Sequence, residues 1–143
     1  MRYWDTSALV PLVVAEAETR RMRSLLGEDH QIVTWALTSV EFASAIERRA
    51  RQGELSATER RRAHARLRDL AGIWDEVTSV EVVRKRALAV LARHELRAAD
   101  AVQLGAALAI ADETGVTIGF VCLDGRLADA ADREGLRPLP ELG

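Results

Sequence analysis

Asp5, Glu41, Asp100 and Asp124 are the residues whose types and placement point to shared chemistry. Each stands near the start of a helical pattern, and three of them follow stretches that read as strands. In an open α/β sheet, the crevice beyond the carboxyl ends of the strands is where ligands bind. Carboxylates gathered there repel one another, and helix N-termini offset that repulsion only in part. The sequence places no lysine or arginine next to Asp5, Glu41 or Asp100 to neutralise them. A divalent cation is the natural counter-charge. Hard oxygen ligands without cysteine or histidine select Mg2+ or Mn2+. His30, His64 and His94 lack metal-ligand spacing, so zinc is not expected.

Taken singly, each acid has an ordinary explanation. Asp5 suits a helix N-cap. Glu41 suits the last position of a capping box, Thr38-Ser39-Val40-Glu41. Asp100 suits the first turn of a helix, and Asp124 before Gly125 suits a turn. The joint pattern carries the metal reading.

The elements that must position these acids follow from hydrophobic period and punctuation. Arg2 to Trp4 reads as a strand and Thr6 to Ala15 as a helix, with Pro11 tolerated near its start. Glu16 to Leu26 is a second helix, ended by Gly27. Gln31 to Trp35 is a strand, and the helix opening at Thr38 runs to about Gln52. Ser56-Ala57-Thr58-Glu59 is another capping box, opening a helix to about Leu70. Gly72 to Thr78 is a weak strand, and Ser79 caps a helix through about His94. Leu96 to Glu113 is the most apolar helix, closed by Gly115. Val116 to Leu123 is the clearest strand, a nearly continuous apolar run of the doubly covered type. Leu127 to Glu134 is a short helix, and Leu136 to Leu139 an edge strand. Strands alternating with helices imply an α/β domain with a parallel sheet covered on both faces. With 143 residues and no linker or repeat, a single domain over 1–143 is expected.

Composition narrows the setting. The net charge is -2, so no general basic field advertises nucleic acid. Lys85 is the only lysine, and arginine supplies the other positive charges. Cys122 is the only cysteine, so an internal disulfide is impossible and a reducing, cytoplasmic setting is expected. The N-terminus shows no leader pattern, and no apolar run approaches a membrane span.

Four segments together resemble a known family. They are Tyr3-Trp4-Asp5-Thr6-Ser7-Ala8-Leu9, Thr38-Ser39-Val40-Glu41, Leu96-Arg97-Ala98-Ala99-Asp100-Ala101-Val102-Gln103-Leu104 and Val121-Cys122-Leu123-Asp124-Gly125-Arg126-Leu127. In this order and spacing they resemble a PIN domain, with the nearest likeness to VapC-type toxins of bacterial toxin–antitoxin pairs. The resemblance implies a three-layer α/β/α fold with a parallel sheet of about five strands. It implies Mg2+- or Mn2+-dependent endoribonuclease activity, inhibition by a VapB-like antitoxin, and a homodimer. The family's acids carry over to Asp5, Glu41, Asp100 and Asp124, and its hydroxyl near the first acid to Thr6 or Ser7. Gln103 departs from the pattern, since many relatives have histidine there.

On this reading Asp5 and Asp100 are direct metal ligands, and Glu41 and Asp124 complete the shell through waters or a second ion. Thr6 or Ser7 hydrogen-bonds Asp5 or a metal-bound water. The αα-hairpin from Arg48 to Arg68 is strongly basic, and Arg60, Arg61 and Arg62 are candidate RNA contacts. Val10, Leu12, Val13 and Val14 form a longer apolar run than one helix face needs, as an interface would. Three other readings are a catalytically silent PIN-fold binding module, a PIN nuclease of RNA processing, and a receiver-like phospho-acceptor pocket. Lys85 is poorly placed to serve the last.

Overall fold

The computed structural model describes residues 1–141. Its strands are β1 (Arg2–Trp4), β2 (Val33–Trp35), β3 (Asp75–Val77), β4 (Gly119–Val121) and β5 (Arg137–Leu139). Its helices are α1 (Thr6–Val13), α2 (Thr19–Glu28), α3 (Thr38–Arg51), α4 (Ala57–Ala71), α5 (Val80–Arg93), α6 (Ala98–Thr114) and α7 (Gly125–Arg133). The strands pair in the order β3-β2-β1-β4-β5, and every pairing is parallel. The expected five-stranded parallel α/β architecture is therefore what the chain adopts. The chain runs outward from β1 through β2 to β3, then crosses to β4 and β5 on the other side. The order reverses at β1 and β4, and a crevice opens at such a switch point.

Period-2 alternation along the strands divides the core into two layers. Tyr3, Val33, Phe120 and Cys122 face α5, α6 and α7. Trp4 and Val121 face α1 to α4. Tyr3 stacks on Phe120 across β1 and β4, with ring centroids 5.7 Å apart. The tightest helix packing is between α5 and α6. A Cβ placed on Gly105 would lie 2.9 Å from both the Ala87 nitrogen and the Val83 oxygen, so only glycine lets the two backbones approach this closely.

Several local expectations are corrected. The strands are only three residues long, because pairing is confined to the segment where neighbours overlap in register. Gly27 lies inside α2, which continues to Glu28; nothing in its backbone requires the left-handed conformation that stops helices at Gly115, φ 69°. Glu16 to Glu18 form a turn, because the Thr19 hydroxyl accepts the Glu16 N–H and donates to the Pro11 carbonyl. Thr38 is the first residue of α3 and caps nothing. Its hydroxyl accepts the Trp35 N–H and pairs with Thr34, 2.7 Å away, so Glu41 is released from the expected capping box. The box at Ser56 and Glu59 forms as its spacing implies. Val10, Val13 and Val14 are buried core residues and Leu12 is partly buried, so most of the apolar run in α1 fills the layer against α3 and α4. No helix of the described residues is long and apolar enough to cross a membrane.

Candidate active site

The parallel sheet ends in a cleft of about 840 Å³ lined by Asp5, Glu41, Asp100 and Asp124. Each acid reaches it from a different element. Asp5 is the residue between β1 and α1, and Glu41 lies in the first turn of α3. Asp100 lies in the first turn of α6, and Asp124 is the N-cap of α7.

Asp5 is almost fully buried, at 4% exposure. Its Oδ2 accepts the Ser7 N–H at 3.1 Å and the Ser7 hydroxyl at 2.6 Å, while no bond from the described residues engages Oδ1. The Ser7 oxygen in turn accepts the Leu123 N–H at 2.9 Å. One hydroxyl thus ties the end of β1 to the segment leaving β4. Burial raises the Asp5 pKa to about 6, against the pull of the two Ser7 bonds and with the push of the Glu41 and Asp100 charges.

Glu41 is partly buried. Its Oε2 accepts the Thr6 hydroxyl at 3.0 Å and the Gln103 amide at 3.2 Å. Burial raises its pKa, the two hydrogen bonds oppose the shift, and the Asp100 charge adds to it. Asp100 is raised first by burial and then by Asp124, while Arg97 pulls the other way. Asp124 spends one oxygen on the Leu127 N–H, which caps α7, and its side chain is open to solvent. Among the described residues, none of the four acids has an ion-pair partner.

Arginines also line the cleft, though among the described residues none of them forms an ion pair with the four acids. Arg48, Arg97 and Arg126 come from α3, the residue before α6, and α7. These three make no side-chain hydrogen bond or ion pair with the described residues. Arg49 also lines the cleft, but Glu16 holds it at 2.5 Å. The candidate contacts Arg60, Arg61 and Arg62 sit on α4, outside the cleft lining. Arg60 is held by Glu47 through two bonds of 2.5 Å, and Arg61 donates to Thr58.

Residue types alone did not reveal Gln103 as part of the site. It is fully buried and touches Tyr3, Thr6, Thr38 and Glu41. One signal was available: an amide three residues after Asp100, on the same face of an otherwise apolar helix. Cys122 is buried beside Asp5 and belongs to the core layer under α5, α6 and α7.

Residues 2–132 match the family model for the PIN domain.

The chain belongs to the PIN domain family.

Ribonuclease VapC46 of Mycobacterium tuberculosis is 34% identical over 135 residues, covering 94% of this chain and 92% of that protein. Among solved structures, FitAcB from Neisseria gonorrhoeae superposes with a TM-score of 0.67 at 17% identity, covering 96% of each chain. Mycobacterium tuberculosis VapC20, described as a Sarcin-Ricin loop cleaving toxin, also gives 0.67, at 18% identity, covering 91% of this chain and 95% of that one. A toxin–antitoxin complex from Klebsiella pneumoniae gives 0.64 at 15% identity, covering 99% of this chain and 100% of that one. At such identities the structures speak for the PIN fold itself. The family membership and the VapC46 likeness bear on chemistry.

The acid set fits a divalent cation by its donor chemistry. It offers only hard oxygens, one of them on a buried carboxylate without an ion-pair partner among the described residues. Among those residues, no three acidic, histidine or cysteine side chains stand close enough to enclose an ion by themselves. Such an open set suits Mg2+, which keeps several waters and takes further oxygens from a substrate phosphate.

Proposed function

We propose that the protein is a divalent-metal-dependent endoribonuclease, the toxin of a VapBC-type toxin–antitoxin pair. The observation that carries this is the meeting of four unpaired carboxylates from four elements in one cleft of a PIN-domain chain. The likeness to a ribonuclease over 94% of the chain supports RNA as the polymer cut.

Asp5 and Asp100 would hold Mg2+ or Mn2+, with Glu41 and Asp124 reaching it directly or through water. When bound, the ion supplies charge neutralisation at the phosphate and a more acidic water. The side chains do the rest. Ser7 fixes one Asp5 oxygen, and the other would be free to take the ion. Thr6 fixes one oxygen of Glu41, and the free one would orient or deprotonate the attacking water. Arg48, Arg97 and Arg126 stand unpaired on the rim of the cleft and would grip phosphates of the RNA backbone. Arg61 and Arg62 on α4 would contact a longer substrate beyond the cleft.

The antitoxin partner is supported by the fold likeness to a chain of a toxin–antitoxin complex. The homodimer reading rests on family resemblance, since the apolar run in α1 is core apart from the partly buried Leu12. Light scattering at micromolar concentration tests it, and a 15.7 kDa monomer counts against it.

The deciding experiment is cleavage of total RNA. Mg2+-dependent cutting that EDTA abolishes and that Asp5→Asn and Asp100→Asn both lose is the expected result. Wild-type cutting by Asp5→Asn removes the site assignment. No cutting under any divalent metal favours a silent binding module.

A further inference from the structure

Gln103 is the one fully buried amide side chain among the described residues, and its surroundings give it a definite orientation. The Tyr3 hydroxyl lies 2.5 Å from Gln103 Oε1. The amide nitrogen lies 3.1 Å from the Thr38 hydroxyl, 3.3 Å from the Thr6 hydroxyl and 3.2 Å from Glu41 Oε2. The opposite orientation would turn the amide oxygen toward a carboxylate, placing acceptor against acceptor. Tyr3 is itself fully buried and stacked on Phe120. Thr38 is equally constrained by Thr34 and by the Trp35 N–H. The amide is thus clamped at both ends by groups anchored to the sheet.

Glu41 lies on α3 and Gln103 on α6, helices on opposite faces of the sheet. Their contact therefore passes over the end of the sheet. It fixes one Glu41 oxygen together with Thr6 and leaves the other for the cleft.

We propose that Gln103 is a positioning residue, which orients the Glu41 carboxylate for the metal-binding cleft through an amide locked by Tyr3. The proposal rests on the metal-dependent reading of the cleft. Groups that orient a metal's ligands typically change metal affinity by about tenfold to a hundredfold when removed. A purely structural core amide would change folding stability and leave metal affinity alone.

The test measures binding of Mn2+ by electron paramagnetic resonance, using the full chain without RNA. Melts in EDTA establish that each variant is folded. Gln103→Leu is expected to weaken Mn2+ binding about tenfold or more. Glu41→Gln should weaken it as well. In the double variant the loss should match that of Glu41→Gln alone, because a residue acting only through Glu41 has nothing left to position. Tyr3→Phe keeps the amide but frees its oxygen, and a smaller loss of about fivefold is expected, near the worth of one hydrogen bond.

A folded Gln103→Leu protein with wild-type Mn2+ affinity overturns the proposal, as do losses that multiply in the double variant. If Gln103→Leu fails to fold, Tyr3→Phe decides, and an unchanged affinity there overturns it. Wild-type protein that binds no Mn2+ sinks the metal-dependent function itself, and this inference with it.

Discussion

Arg60 grips Glu47 across the α3–α4 hairpin, with its Nε and Nη2 each 2.5 Å from a carboxylate oxygen. The pair pushes the Glu47 pKa down to about 2, chiefly through these hydrogen bonds. A guanidinium so engaged is committed to holding two helices together. Arg48, Arg97 and Arg126 have no such commitment and border the acids.

RNA binding should therefore separate these two sets of arginines. Charge reversal of Arg48, Arg97 or Arg126 should weaken RNA affinity and lower the salt slope by about one for each phosphate released. Arg60→Glu should leave the slope unchanged. Fluorescence anisotropy with a labelled RNA in EDTA, at several salt concentrations, reads both quantities. A slope that changes only with Arg60→Glu would return the substrate grip to the hairpin.

Asp5→Asn should stabilise the metal-free protein at neutral pH. The Asp5 carboxyl, ordinarily near 3.9 in an unfolded chain, titrates at about 6 in the fold. Between those values the folded state binds more protons than the unfolded one, so stability falls as pH rises through this window. Above it the buried, repelled carboxylate costs roughly 1–3 kcal/mol, which asparagine avoids. The variant should melt higher than wild type in EDTA at pH 7, and the gap should close toward pH 4. Added Mg2+ should raise the wild-type melting temperature more than the variant's, since a ligand stabilises only the state that binds it. Asp100, also raised by burial and by Asp124, should show the same sign. Equal melting of wild type and Asp5→Asn at pH 7 in EDTA would contradict the cost of burying this charge beside other carboxylates.

Ser7→Ala removes a hydroxyl that donates to Asp5 and accepts from Leu123. The Leu123 N–H would lose its partner near the end of β4, at a cost of about 1–3 kcal/mol. The Asp5 carboxylate would also lose one of its two stabilising bonds, and its pKa should rise further. Urea unfolding should show the lost stability. A midpoint equal to wild type would mean that water replaces the hydroxyl at no cost.

Gly105→Ala tests the packing of α5 on α6. Alanine ordinarily favours a helix interior over glycine by up to about 1 kcal/mol. Here the added carbon meets two backbone atoms of α5 at 2.9 Å, which side-chain rearrangement does not relieve. The helices must separate, and a net loss of about 1–3 kcal/mol is expected from overpacking. Thermal melts check it, and a higher melting temperature would show that α5 yields freely.

The class of fold and the chemistry on offer were legible along the chain. Alternating strand and helix patterns imply a covered parallel sheet, because each pattern must bury an apolar face. Acids at the starts of helices announced Asp5, Glu41, Asp100 and Asp124, since local punctuation locates such residues along the chain.

Which polar groups are spent and which are free emerged only in three dimensions. The Thr38-Ser39-Val40-Glu41 pattern allows a local capping box, but Thr34 and the Trp35 N–H claim the Thr38 hydroxyl, and Glu41 turns to Thr6 and Gln103. The basic run on α4 suggests a substrate face, yet Glu47 takes Arg60, while the three unpaired arginines of the cleft come from separate elements. The apolar run of α1 suggests an interface, yet α3 and α4 cover most of it. In most of these cases the competing partner is remote in sequence. Hydrogen bonds and packing depend on distance in space, which chain spacing encodes only within a single turn or helix face.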